Sequence, residues 1–271
     1  MNILLLLLAI LPGLIISYLI YQQDRYDREP RLVLLICFGL GMLITVPAMQ
    51  MQKLANHYGW DTGENFWMLI VLSYIVVGFT EEIVKFISLY LYPYRHKAFD
   101  EPLDGIVYSV MIGMGFATLE NILYANHFGM QTILFRAFTA VPAHGAFAVI
   151  MGYYAGLAKF DQKRRYQLLA IGVLLAIFLH GTYDFFILQE YYEWLMILAT
   201  LTLCISLYFS IRMIRLHLHN SPFKNRAVPP ESPINIPEKE ELPESFSTAV
   251  ENNVENEIMR AVLDELSDEE E

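Results

Sequence analysis

The sequence predicts an all-α polytopic membrane protein, a bundle of about seven transmembrane helices. Three observations carry that reading. The 271-residue chain is 55% hydrophobic with a mean hydropathy of +0.39, too apolar for a soluble domain of this size. Apolar stretches follow one another between residues 1 and 215, each near the roughly 20 helical residues that cross a ~30 Å hydrocarbon core. Backbone groups inside lipid find no water, so such stretches span as helices.

In order, the spans run over about 2–22, 32–50, 66–92, 105–126, 132–158, 167–188 and 193–213. The first opens on Met1-Asn2-Ile3, without a basic start and without an Ala-x-Ala site, so it reads as a retained anchor, not a cleaved signal. Lys and Arg collect on alternate loops. Arg25, Arg28 and Arg31 follow the first span, Arg95 and Lys97 the third, Lys159, Lys163, Arg164 and Arg165 the fifth, and Arg212 and Arg215 the seventh. The other loops hold only Lys53, with Arg136 near the start of the fifth span. This bias places the N-terminus outside and the C-terminus in the cytoplasm. The longest outside loop, residues 51–65, carries Tyr58 and Trp60, which suit the membrane interface. Cys37 and Cys204 lie within spans and lack partners at ligand spacing, so both read as small buried hydrophobes.

The net charge of −11 averages two unlike regions. Residues 231–271 carry 14 acidic and two basic residues, leaving the remaining chain at +1. Residues 1–215 form the helical domain. Residues 216–271 read as a cytoplasmic acidic tail, largely disordered, broken by Pro222, Pro229, Pro230, Pro233, Pro237 and Pro243. Within it, Thr248 and Glu251 form a capping-box pair ahead of Val250, Val254, Ile258, Val262 and Leu266 at four-residue spacing.

Charged side chains inside lipid cost several kcal/mol and mark function. The third span holds Glu81, Glu82 and Lys85. Adjacent helical residues point about 100° apart, so the two carboxylates face different ways. Glu81 and Lys85 are i,i+4 in the favourable order: one carboxylate is expected to face a reaction centre while the Lys neutralises and orients the pair. The fourth span carries a small-residue stripe, Gly105, Ser109, Gly113 and Ala117, ending at Glu120 and Asn121. The fifth repeats the device with Ala140, His144, Ala148, Gly152 and Gly156. Such stripes bring helices close. In the sixth, His180 and Asp184 share a helix face, and the Asp can fix the imidazole tautomer. A single water-filled cavity can collect these groups, and carboxylate, imidazole and amide together suit water activation and oxyanion stabilisation. No Ser or Cys nucleophile stands with a base partner, and HExxH is absent. Two other classes fit the same residues: a proton- or ion-coupled transporter, against which no duplicated halves are seen, and a non-catalytic membrane scaffold.

Glu81-Glu82-x-x-Lys85, Phe116-x-x-x-Glu120-Asn121, His144 and His180-x-x-x-Asp184, in that order on four spans, resemble the PrsW family of bacterial intramembrane proteases. The opening run Pro12 to Pro30, with Tyr21, Asp24 and Glu29-Pro30, is similar too, and the resemblance covers about residues 10–188. The related type II CAAX prenyl endopeptidases have FxxxH and HxxxN, where this chain has Glu120 and Asp184; these departures point to the PrsW branch and away from prenyl-protein cleavage. The resemblance implies an intramembrane endopeptidase of the bacterial cell membrane, set in the lipid bilayer and cutting a single-span, anti-sigma-factor-like protein on its extracytoplasmic side, with no nucleic-acid partner. It implies Glu81 and Glu82 as the catalytic pair, one of them the general base. Glu120 and His144 would hold the water, and His180, oriented by Asp184, would stabilise the oxyanion, with Lys85 and Asn121 in support. Members have been described both as metalloproteases and as metal-free glutamate proteases. No cofactor is expected here; a zinc ion, if held, would fall to Glu82, His144 and His180.

Overall fold

A computed structural model of the chain describes residues 3–60 and 65–224. Residues 225–271, with the short helix read from Thr248 onward, lie outside the described residues, as do residues 61–64 of the outside loop; the first residues assigned to the tail, 216–219, instead continue the last helix. The described chain is helical: α1 (Ile3–Gln23), α2 (Arg31–His57), α3 (Phe66–Ile70), a π-helical segment (Val71–Phe79) running into α4 (Thr80–Leu91), α5 (Pro102–Phe138), α6 (Ala140–Phe160), α7 (Arg165–Leu188) and α8 (Met196–His219). Six helical stretches among the described residues are long and apolar enough to cross a membrane. One of them, Pro102–Phe160, doubles back on itself. Gly105 lies against Gly152 and Gly156, and Gly113 against Ala148, so α5 and α6 run antiparallel and the chain makes the seven passes read from the sequence.

α5 is the central helix. Every residue from Leu103 to Thr118 is buried, as befits a helix apolar all round. Its start is fixed by Glu101 and Asp104, which bond reciprocally across the first turn with Pro102 at its head. The two small-residue stripes meet here. A methyl on Gly105 would strike the backbone of Gly152 and Gly156, and Gly41 of α2 meets the α5 backbone as closely at Ile112. At such contacts only glycine lets the backbones approach.

Several boundaries differ from the sequence reading. α2 continues to His57, so much of the outside loop is helix, and Gln52 faces inward near α4. The fourth and fifth spans do not part at residue 132. The helix breaks at Gly129 (φ 77°, ψ −165°), residues 130–138 form a short helix, and α6 begins at Ala140. Only glycine adopts that φ without strain. Cys37 is buried as expected, but Cys204 is exposed on the lipid-facing side of α8.

Candidate active site

Glu81 and Glu82 open α4 directly after the π-helical segment. The wide turn leaves room for Gly78 to pack on Gly181 and Ile177 of α7, while Thr80 Oγ1 donates to the Val76 carbonyl at 2.6 Å. Such segments alter helix register and recur at functional sites. Here the register turns both glutamates inward: Glu81 is 3% exposed and Glu82 0%.

The two carboxylates face different surroundings. Glu82 is enclosed: its Oε1 accepts from Lys85 Nζ at 2.7 Å and stands 2.8 Å from His180 Nδ1. Glu81 lines a cavity of about 210 Å3. Its Oε1 accepts from Gln52 Nε2 at 3.0 Å, and its buried Oε2 has no hydrogen-bond partner. The expected Glu81–Lys85 pair is present, and Lys85 makes its shorter contact with Glu82. Lys85 is 3.6 Å from Glu81 and forms its close ion pair with Glu82 one turn away, because its ammonium lies over the Phe116 ring at 4.3 Å and beside His144 Nδ1 at 3.1 Å.

Three other helices complete the site. His144 Nε2 stands 3.0 Å from Glu120 Oε2. The His180 ring stacks on Phe147 and meets the His144 ring edge-on at 5.0 Å between centroids. Its Nε2 is 3.2 Å from Asp184 Oδ2, so the predicted His–Asp pair is present. Asn121 is fully buried, and its Oδ1 accepts from Arg136 Nε at 2.7 Å. The structure thus brings together Glu81, Glu82, Lys85, Glu120, Asn121, His144, His180 and Asp184.

Sequence reasoning missed two contributors. Arg136, on the short helix after Gly129, pairs with Glu120 at 2.7 Å and lies 4.0 Å over the Tyr124 ring. It was read only as an outside charge, although a lone Arg in that apolar stretch was itself a signal. Gln52 carried no signal, since the sequence placed it in a loop.

A metal suits the donor set. One ligand atom from each of Glu81, His144 and His180 lies within 4.8 Å of the others, all buried. Glu81, not Glu82, is the carboxylate of this group, because Lys85 and His180 engage Glu82. The surrounding charge fits as well. Four carboxylates, Glu81, Glu82, Glu120 and Asp184, stand around two permanent cations, Lys85 and Arg136, an excess of acidic groups that a divalent ion would relieve. The expectation of no cofactor finds no support in this arrangement.

Comparison with known proteins agrees. The family model for "PrsW family intramembrane metalloprotease" matches residues 29–211. Protease PrsW of Geobacillus kaustophilus is 39% identical over 200 residues, 70% of this chain and 84% of that protein. The Clostridioides difficile and Bacillus subtilis proteins of the same name are 38% and 37% identical, covering 71% and 69% of this chain and 82% and 84% of their own. No solved structure matches the chain. With more than half of its length matched and relatives of this identity, the chain belongs to the PrsW family and is a multi-pass intramembrane protease.

Proposed function

We propose that this protease hydrolyses a peptide bond in a single-span, membrane-anchored regulatory protein of the anti-sigma-factor kind, in the bacterial cell membrane. The observation that carries the reading is the meeting of Glu81, His144 and His180 on a cavity of about 210 Å3. A water in that cavity would lie against Glu81 Oε2; Glu82 Oε2 is also buried without a hydrogen-bond partner, but Glu82 does not line the cavity. Glu81 takes the proton as the water attacks the carbonyl and returns it to the leaving amine. Glu120 and His144, bonded to each other at 3.0 Å with the ring also against Lys85, wall the place of the water. His180 keeps Nδ1 on Glu82 and turns its Nε2–H from Asp184, 3.2 Å away, to the developing oxyanion. Glu82 keeps Lys85 and His180 in place.

Glu81, His144 and His180 would hold a divalent ion, which supplies Lewis-acid polarisation of the carbonyl when bound. With Glu81 so engaged, proton transfer falls to Glu120, the other glutamate lining the cavity. Transport and scaffold roles draw no comparable support, because the named relatives are proteases.

The test compares membrane proteomes of cells carrying the native chain and Glu81→Gln. One single-span protein should accumulate uncut in the variant. If no membrane protein differs in length or amount, the reading fails.

A further inference from the structure

The cleft between α1 and α2 carries groups that the hydrolytic site does not use. A groove of about 300 Å3 lies there, walled by Leu14 and Tyr18 of α1 and by Leu34 and Phe38 of α2, with Met111 of α5 also lining it. Arg31 is the one charged side chain on it. Ser17 also lines it; the residue is 8% exposed, and its Oγ is buried without a hydrogen-bond partner.

The Arg31 end is built for an anion. Arg31 is the first residue of α2, and that start has neither a side-chain cap nor an acidic residue in its first turn. The amides of Val33 and Leu34 bond back to the Pro30 carbonyl, which leaves those of Arg31 and Leu32 without a backbone acceptor, at the positive end of the helix dipole. The Arg31 guanidinium neighbours the Tyr21 hydroxyl, and Arg28 lies 5.3 Å over the Tyr21 ring. Two of the nearby carboxylates are engaged elsewhere, Asp24 accepting the Glu29 amide and Glu29 the Tyr108 hydroxyl, while Asp27 lies with Arg28 around a separate hollow. Arg25, Arg28 and Arg31 share the basic loop that the charge bias assigns to the cytoplasmic face, where anionic lipids gather.

We infer that this groove holds one acyl chain of an anionic phospholipid, with the phosphate on Arg31 and the start of α2. A free phosphate would use the Arg31 end and leave the apolar groove empty. The inference is independent of the protease chemistry.

Native mass spectrometry of the full chain in detergent tests it, with phosphatidylglycerol and phosphatidylcholine of matched chains as probes. The native protein should retain one phosphatidylglycerol about tenfold over phosphatidylcholine, whose phosphate is offset by a choline cation that Arg25, Arg28 and Arg31 repel. Arg31→Gln should abolish the preference and Arg31→Lys keep part of it. Leu14→Trp, which fills the groove from the lipid side, should reduce retention of both lipids. Equal retention of the two lipids overturns the inference, as does a preference that survives Arg31→Gln. Displacement of phosphatidylglycerol by millimolar inorganic phosphate, with Leu14→Trp silent, would reduce the site to an anion site and overturn it too.

Discussion

Lys85→Met exposes how this site is balanced. The ammonium is 3% exposed and touches Glu82 at 2.7 Å, Glu81 at 3.6 Å and His144 at 3.1 Å. Methionine keeps the length and the contact with Phe116 but removes the charge, leaving Arg136 as the one permanent cation beside Glu81, Glu82, Glu120 and Asp184 among the described residues. Breaking a buried pair in this way costs about 3–5 kcal/mol, mostly from the carboxylate left unpaired. At about 2–4 °C per kcal/mol for a chain of this size, Tm should fall by about 6–20 °C. Thermal unfolding in detergent followed by Trp fluorescence reads the change. Lys85→Met/Glu82→Gln removes both charges and leaves an amide beside His180, so it should recover most of the lost stability. Proteolysis should remain low in both variants, since His144 and His180 each lose a fixed neighbour. A Tm shift below about 2 °C for the single variant, or a double variant no more stable than the single, would refute the reasoning.

Arg136→Gln should lower cleavage by about 10- to 100-fold, with Arg136→Lys intermediate, because lysine cannot hold Glu120 and Asn121 together; equal rates for all three proteins would contradict the role. Treatment with 1,10-phenanthroline should lower both Tm and cleavage, and added zinc should restore both; a chelator that moves neither would exclude a resident metal. At the other end of the bundle, burial pushes Glu29 and Glu101 up to about 7. The fold therefore favours their neutral forms, and their contribution is full below about pH 4.5 and lost as pH rises through 7. Tm should fall from about pH 5 to about pH 8, and Glu101→Gln should flatten that slope; a Tm that rises over the same range would show the opposite sign.

The fold was legible where one helix speaks for itself. Span number, the small-residue stripes of α5 and α6, and the four polar motifs all follow from periodicity and from the cost of charge in lipid. The stripes face one another at Gly105 and Gly152. What stayed hidden depends on how helices are rotated and on where they stop. The π-helical turn before Thr80 leaves no mark in the apolar run Val71–Phe79, yet it sets which glutamate meets the cavity. Lys85 lies closer to Glu82 than to Glu81 because Phe116 and His144, on two other helices, fix its ammonium. Gln52 reaches the site because α2 runs to His57, and Arg136 because the chain turns at Gly129.

The cleavage rate of the purified Glu81→Gln protein on a single-span substrate is the most direct measure of the assignment, read beside Glu82→Gln and with Tm as a check on folding. The structure gives Glu81 the cavity and Glu82 the ion pair. Glu81→Gln should therefore lose about 100- to 10,000-fold in rate with Tm close to that of the native chain, while Glu82→Gln loses both stability and rate. A Glu81→Gln protein that cuts at the native rate would contradict the account.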